Sequence, residues 1–506
     1  MSCYFGLYFG NTNMCLAMHK DSQTEVLANA AGYRVTPSVI AFLNETEKVV
    51  GLDAKQAMHK NAANTITDIK DLLQNSDETD VNDFELKSPH KLNGKNGTKL
   101  DLEKNISLQY TVSEILTILF TAMKEIARSH SHEDVYPTVL TVPISFTSTQ
   151  RQQVKKAATD AGFQLLRIIN EPAAAALAYG IGQESNDSNS KCLVFRMGGT
   201  SLDVTILQVS NGMYTVLSTV QKKNFGGHLI TDAIVNFCSS EFQRQYKVDI
   251  KESKRSLIKL RSAAEHYKHV VHSSINERCQ AESVYDGIDL NISISKARFD
   301  SLIHNTLQQC LDPINEALNC ASLSIANINK VILAGGSCKI PKLQQLISNT
   351  FYSANVLSSI NPDEVIAVGA AKQATLVSHS IEDENCFINL LSQDLSIKIT
   401  GISDRPDYLL LCSKGTIIPT IITETFRVTE DTESIKVEIL EGNPSVQDDE
   451  ATSLIAVLTM SNLPVGEIHI SFHIRSDGSI FVTCKDCASK DVGSATVVPP
   501  RNQGCT

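Results

Sequence analysis

Residues Cys192 to Leu207 read C-L-V-F-R-M-G-G-T-S-L-D-V-T-I-L, two apolar runs on either side of a small polar hinge, Gly198-Gly199-Thr200-Ser201. The runs are rich in β-branched residues and the hinge in glycine, so the pattern predicts a strand, a tight turn and a second strand. Adjacent glycines permit close backbone approach, and the converging amides of such a turn can cradle an anion. Taken alone, the stretch reads more readily as an ordinary hairpin.

A second stretch shifts that balance. Tyr4 to Met18 reads Y-F-G-L-Y-F-G-N-T-N-M-C-L-A-M, and Leu7-Tyr8-Phe9-Gly10-Asn11-Thr12 lies over Phe195-Arg196-Met197-Gly198-Gly199-Thr200. The chain uses one phosphate-cradle device twice, once in each of two halves. Val331 to Ala334, a buried strand, runs into Gly335-Gly336-Ser337 with Pro341 placed to open a helix. This is a third candidate ligand contact, although a plain strand-turn-helix join explains it as well.

The 506 residues exceed one core and imply about two to four domains. Hydrophobic content of 42% and charged content of 20% are those of a globular protein. A net charge of −11 argues against nonspecific nucleic-acid binding, and no direct DNA partner is expected. No apolar run approaches bilayer length, and the N-terminus lacks the layout of a signal peptide. Thirteen cysteines without a regular frame suggest reduced thiols and a cytosolic location, with the nucleus left open. Cys484 and Cys487 make the one close CxxC pair, more simply read as strand and turn cysteines. His266, His269 and His272 recur every third residue, but at about 3.6 residues per turn they do not share a helix face. No metal site is assigned.

Further along, Asn61 to Leu73 reads as a short helix carrying Lys70, and residues 74–105 as a polar hairpin or loop excursion. Val112 to Ser129 has helical spacing at Ile115, Leu116, Leu119 and Met123. Pro137 to Pro143 is a strand, a helix runs through Arg151 to Ala161, and a further strand ends in Asn170-Glu171-Pro172. The polar spacer from Gly182 to Ser190 divides the first half from the second. Asn224-Phe225-Gly226-Gly227-His228 leads into helices to about residue 273, and 290–320 reads as helical. From about residue 395 the pattern becomes short alternating strands, with Asp477-Gly478 as a hairpin signal.

These motifs together resemble the seventy-kilodalton heat-shock chaperone family. The matches are Thr141-Val142-Pro143, Leu166 through Pro172, Ala178-Tyr179-Gly180, Gly335-Gly336-Ser337 and Asn361-Pro362-Asp363-Glu364, then Gly415 through Thr420 and Asp477 through Ile480 in the tail. The resemblance implies a two-lobed actin-like α/β ATPase domain over residues 1–384, with lobes of about 1–182 and 190–384. It further implies a linker over 385–396 and a truncated β-sandwich over 397–506, without a helical lid. Lys70 then matches the lysine that orients the attacking water, and Glu171 and Asp203 match catalytic carboxylates. Gly10, Asn11, Thr12, Gly198, Gly199, Thr200 and Ser201 line the phosphates, followed by Gly226 and Gly227. Glu265, Lys268, Gly335, Gly336, Ser337, Lys339 and Asp363 match the adenosine side. Pro143 and Arg151 match a nucleotide-state switch, and Arg167 a J-domain contact.

The resemblance has departures. The family carries an aspartate in each cradle where this chain has Tyr8 and Arg196, so formal charge there changes from −2 to +1. Mg²⁺ is usually held through carboxylates and phosphates, which makes Mg²⁺ doubtful while ATP or ADP remains expected. Arg196 could itself face the phosphates, and hydrolysis should be slow. Lys339 and His269 stand where the family stacks arginines on adenine. The linker stretch Phe387 to Asp394 is apolar but degenerate. Lid-less relatives imply a J-domain cochaperone, the ribosome with its nascent chains, and weakly held unfolded polypeptide as partners. A non-hydrolysing scaffold and a small-molecule kinase of the same fold are the alternatives.

Overall fold

The computed structural model describes residues 3–44, 46–58, 60–75, 92–93, 99–101, 109–131, 133–182, 189–210, 213–271, 278–379, 389–390, 394–400, 408–413, 416–418, 420–428, 434–442, 453–461, 465–474, 480–486 and 491–497. It divides into two compact units, Met1–Val142 with Val154–Ser378, and Pro143–Gln153 with His379–Thr506.

In the first unit, each half is built on one central strand. Tyr4–Phe9 pairs antiparallel with Asn13–Lys20 and parallel with Pro137–Val142, beyond which lies Gln164–Asn170. Asn189–Met197 pairs antiparallel with Ser201–Ser210 and parallel with Lys330–Ala334, beyond which lies Asn355–Leu357. The outer antiparallel strands are Gln23–Val26 and Met213–Lys223. Both sheets therefore have one strand order, and the duplication read from the two cradles is a duplication of topology. The central strands are buried on both faces, with Phe5, Leu7, Phe9, Leu193, Phe195 and Met197 on one and Tyr8, Cys192, Val194 and Arg196 on the other, as expected where helices cover both sides.

Small residues set the spacing of the covering helices. A Cβ on Gly6 would collide with the backbone at Ala367 and Ala371, and one on Gly369 with the backbone of Ala174. The helices Glu171–Ala178 and Val365–His379 thus cross in backbone contact. This explains the alanine-rich runs on both: a larger side chain has no volume to enter.

Several expectations need correction. Asn61–Leu73 is not one helix: a 3-10 turn (Ala62–Asn64) and a strand (Thr65–Ile66) precede the helix Ile69–Asn75. β-branched residues favour the strand, and Asp68 with φ 54° breaks the helical path. The helical region after 290 begins only at Lys296, because Arg278–Tyr285 and Ile288–Ser293 form a hairpin. Asp286-Gly287, with φ 44° and 81°, supplies its turn, a signal present in the sequence. Leu52–Ala57 is a further short helix. Of the excursion 74–105, the described part includes Leu92–Asn93 paired antiparallel with Lys99–Asp101.

The second unit contains two four-stranded antiparallel sheets. One holds Tyr408–Cys412, Leu395–Thr400, Ser434–Glu441 and Ser453–Ser461; the other holds Thr420–Val428, Gly466–Ile474, Ile480–Asp486 and Asp491–Val497. Ile397, Val437, Ile439, Phe426, Ile470 and Phe472 from both sheets share one core, which makes the tail a β-sandwich. Leu395–Thr400 opens inside the span expected as linker, and Asn389–Leu390 pairs with Ile417–Ile418. The 384 boundary, Phe387 and Ile388, Asp477-Gly478, Gly415, Pro419, Cys487 and His272 lie outside the described residues.

Candidate nucleotide site

The first carboxylate is placed by a strand-to-helix junction. Gln164–Asn170 ends on Asn170, whose extended backbone precedes the helix Glu171–Ala178. Pro172 sits in the first turn, where its missing N–H leaves no bond unmade, and the helix dipole favours a carboxylate there. Glu171 is 2% exposed. Its Oε1 accepts from Lys70 Nζ at 2.5 Å, and the same ammonium donates to Phe9 O at 3.0 Å.

Arg196 reaches Glu171 from the other half. Its Nε lies 2.8 Å from Glu171 Oε2, and its Nη2 lies 2.9 Å from Asp203 Oδ2. Asp203 is the residue directly opposite Arg196 across the hairpin, and Ser201 Oγ, 3.3 Å from each, joins them. Nη1 stands on the side of the glycine turn: a Cβ at Gly198 would lie 3.2 Å from it. The result is a chain of alternating charge, buried at Lys70, Glu171 and Arg196 and part-buried at Asp203, that joins the two halves.

The electrostatics follow from burial and from these contacts. Burial alone would raise the Glu171 carboxyl, but Arg196 and Lys70 outweigh it and hold the group below the usual range. Burial pushes the Asp203 carboxyl up, opposed by Arg196 and reinforced by Glu171. Burial also lowers the Lys70 ammonium and would lower Arg196, which Asp203 and Glu171 instead hold above its ordinary value. Tyr8 is buried, with its ring centroid 5.8 Å from Lys70 Nζ, and burial raises its hydroxyl.

The two cradles face one another. Asn11 Oδ1 accepts from the amides of Lys70 and Asp71 at 3.1 and 3.2 Å, closing the start of the helix Ile69–Asn75. Asn11 Nδ2 lies 2.7 Å from Asp71 Oδ2 and 2.8 Å from Thr200 Oγ1 in the opposite turn. A Cβ on Gly199 would collide with Thr12, and Gly10 N donates to Asn13 O at 3.0 Å.

The residues expected on the adenosine side assemble around the same turn. Gly198 O accepts from Gly227 N at 2.9 Å and from Ser337 Oγ at 2.8 Å, while His228 N donates to Gly199 O at 2.9 Å. A Cβ on Gly226 would lie 2.7 Å from Gly199 O, so only glycine fits. Gly335, with φ 87°, presses on Met197, and its amide donates to Pro362 O at 2.6 Å. A Cβ on Gly336 would meet open space. Lys268 Nζ donates to Glu265 Oε2 at 2.7 Å, Thr231 Oγ1 at 3.0 Å and Gly227 O at 3.2 Å. Lys339 pairs with Asp363 at 2.6 Å, and His269 Nε2 lies 3.2 Å from Glu265 Oε1.

The remaining residues lie elsewhere. Arg151 Nη2 donates to Pro143 O at 3.2 Å, and burial lowers its guanidinium to about 10. Arg167 aligns with Val139 in the outer strand, also lowered by burial to about 10. Sequence reasoning missed Thr231, the Asn11–Asp71 cap and the grip of Arg196 on both carboxylates. Only the Asp203 half of the last was available from register: once Met197 faces Leu202, Arg196 must face Asp203, whereas Glu171 comes from another element.

Comparison with known proteins agrees with this architecture. The family model described as Hsp70 protein matches residues 4–504. The chain is 37% identical to heat shock 70 kDa protein 14 of Xenopus tropicalis over 505 residues, covering 97% of this chain and 98% of that protein. It is 38% identical to heat shock 70 kDa protein 14-B of Xenopus laevis over 502 residues, with 97% and 98% covered. It is 35% identical to heat shock 70 kDa protein 14 of Danio rerio over 495 residues, with 96% of each chain covered. No helix among the described residues is long and apolar enough to cross a membrane. A doubled actin-like core, a glycine turn after the central strand of each half, a β-sandwich tail and a family match across nearly the whole length lead to one conclusion: the chain belongs to the Hsp70 family of ATP-binding chaperones.

Proposed function

We propose that this family member is an ATP-binding chaperone or cochaperone for nascent polypeptides, acting in the cytosol with a J-domain partner at the ribosome and hydrolysing ATP slowly. The supporting observation is the ion-pair chain itself. Of the residues that would position and polarise an attacking water, Lys70 is paired with Glu171, and Glu171 and Asp203 are each paired with Arg196. A water among them would have to break a buried, charge-assisted contact before it could be oriented. Losing one preorganised electrostatic element typically costs about 10²–10³ in rate.

These residues do not fit the divalent cation that other family members bind. Each carboxylate has an oxygen taken by Arg196, and Tyr8 offers no carboxylate in the other cradle. Committed carboxylates also favour the second reading, a nucleotide-stabilised scaffold that does not turn over. Arg167, on the outer strand, is the candidate J-domain contact.

Single-turnover hydrolysis by the purified chain tests the proposal. The wild type should be slower than an ordinary family member, and Tyr8→Asp with Arg196→Asp should gain about 10²–10³ in rate when Mg²⁺ is present. A wild-type rate equal to that of an ordinary member would overturn it.

A further inference from the structure

We propose that Arg196 is a resident cation: its guanidinium stands in for the divalent metal, and the cleft binds a nucleoside di- or triphosphate without one. This rests on the nucleotide-binding reading above and names how that site recognises its ligand.

Three observations carry it. First, Nε and Nη2 occupy oxygens of Glu171 and Asp203, the protein groups a hydrated Mg²⁺ would need. Second, Nη1, which no protein contact uses among the described residues, stands beside the Gly198 turn. A side chain at Gly198 would crowd that nitrogen, so the glycine leaves the turn-facing side of the guanidinium uncovered. Third, the cleft floor is already neutral, with Lys70 and Arg196 balancing Glu171 and Asp203. A metal entering there would add two positive charges and would have to displace Arg196 from at least one carboxylate.

The chemistry suits the role. Guanidinium is charged at every physiological pH and offers donors to phosphate oxygens that a carboxylate-bound metal would otherwise neutralise. It differs from Mg²⁺ in being tethered: it neither arrives with the nucleotide nor leaves with the product. Binding should therefore be indifferent to magnesium or weakened by it, since Mg²⁺ in solution masks the oxygens Arg196 would meet.

The test is isothermal titration of the nucleotide-free full chain with ATP and with ADP, once in EDTA and once in excess MgCl₂. The wild type should bind both nucleotides in EDTA, with magnesium changing the affinity by no more than about threefold in the direction of tightening. Arg196→Gln should weaken binding in EDTA by about tenfold to a hundredfold, the value of a charge-assisted contact. Arg196→Asp should bind only when magnesium is supplied. Wild-type binding that requires magnesium would overturn the resident cation while leaving nucleotide binding intact. No wild-type binding in either buffer would overturn the nucleotide-binding reading itself. The wild-type comparison decides the matter even if a variant fails to fold.

Discussion

Replacing Arg196 by methionine keeps most of the side-chain volume and removes the charge. Glu171 then retains Lys70 but loses the 2.8 Å contact from Nε, and Asp203 loses its 2.9 Å contact from Nη2, leaving a part-buried carboxylate with only Ser201. Removing one member of a buried ion pair costs about 3–5 kcal/mol, most of it the stranded charge. The cost carries a pH signature. In the wild type Glu171 lies below its ordinary pKa, a stabilisation fully present above the unfolded value of about 4.3 and lost as pH falls through the folded value. In the variant the stranded carboxyls rise, Asp203 starting from a value burial has already raised, so their penalty grows as pH climbs past the unfolded value. The gap between the proteins is widest at neutral pH and narrows toward about pH 4. Urea unfolding of the full chain, followed by a probe in the first unit, measures it; separate transitions for the two units are expected. Adding Glu171→Gln should recover part of the loss, with a coupling of about 0.5–3 kcal/mol. A loss below about 1 kcal/mol, or strict additivity with Glu171→Gln, would refute the reasoning.

Three other outcomes are expected. Gly369→Ala forces a methyl against the Ala174 backbone and should destabilise the first unit by about 1–3 kcal/mol, read from the same urea curves. Asn11→Ala removes the cap on Ile69–Asn75 and the link to Thr200; it should cost about 1 kcal/mol and speed amide exchange at Lys70 and Asp71. Burial would raise the Glu265 carboxyl, but Lys268, His269 and Thr231 hold it well below the usual range. Its stabilisation is complete above about pH 4.3 and lost as pH falls, so Glu265→Gln should flatten the acid side of the stability profile, measured by melting between about pH 3 and 6.

Legibility in the sequence tracks how local the deciding interaction is. The two cradle hairpins can be read because glycine turns and β-branched runs act over a few residues, and their overlay predicts a repeated sheet order. The alanine-rich runs indicate helices, but not that Gly369 lets two of them touch, since that depends on a neighbour far along the chain. Asn61–Leu73 misleads because its helix begins where Asn11, from a distant loop, caps it. The site residues emerge mostly through resemblance. What Arg196 does there is hidden because Glu171 approaches it from another element.

The most direct test is a crystal structure with ATP and Mn²⁺, collected at a wavelength where manganese scatters anomalously. Arg196 should remain between Glu171 and Asp203, its Nη1 on a phosphate oxygen, with no anomalous peak at that position. A manganese peak bridging phosphate and the waters of Asp203 or Glu171, with Arg196 turned away, would contradict it.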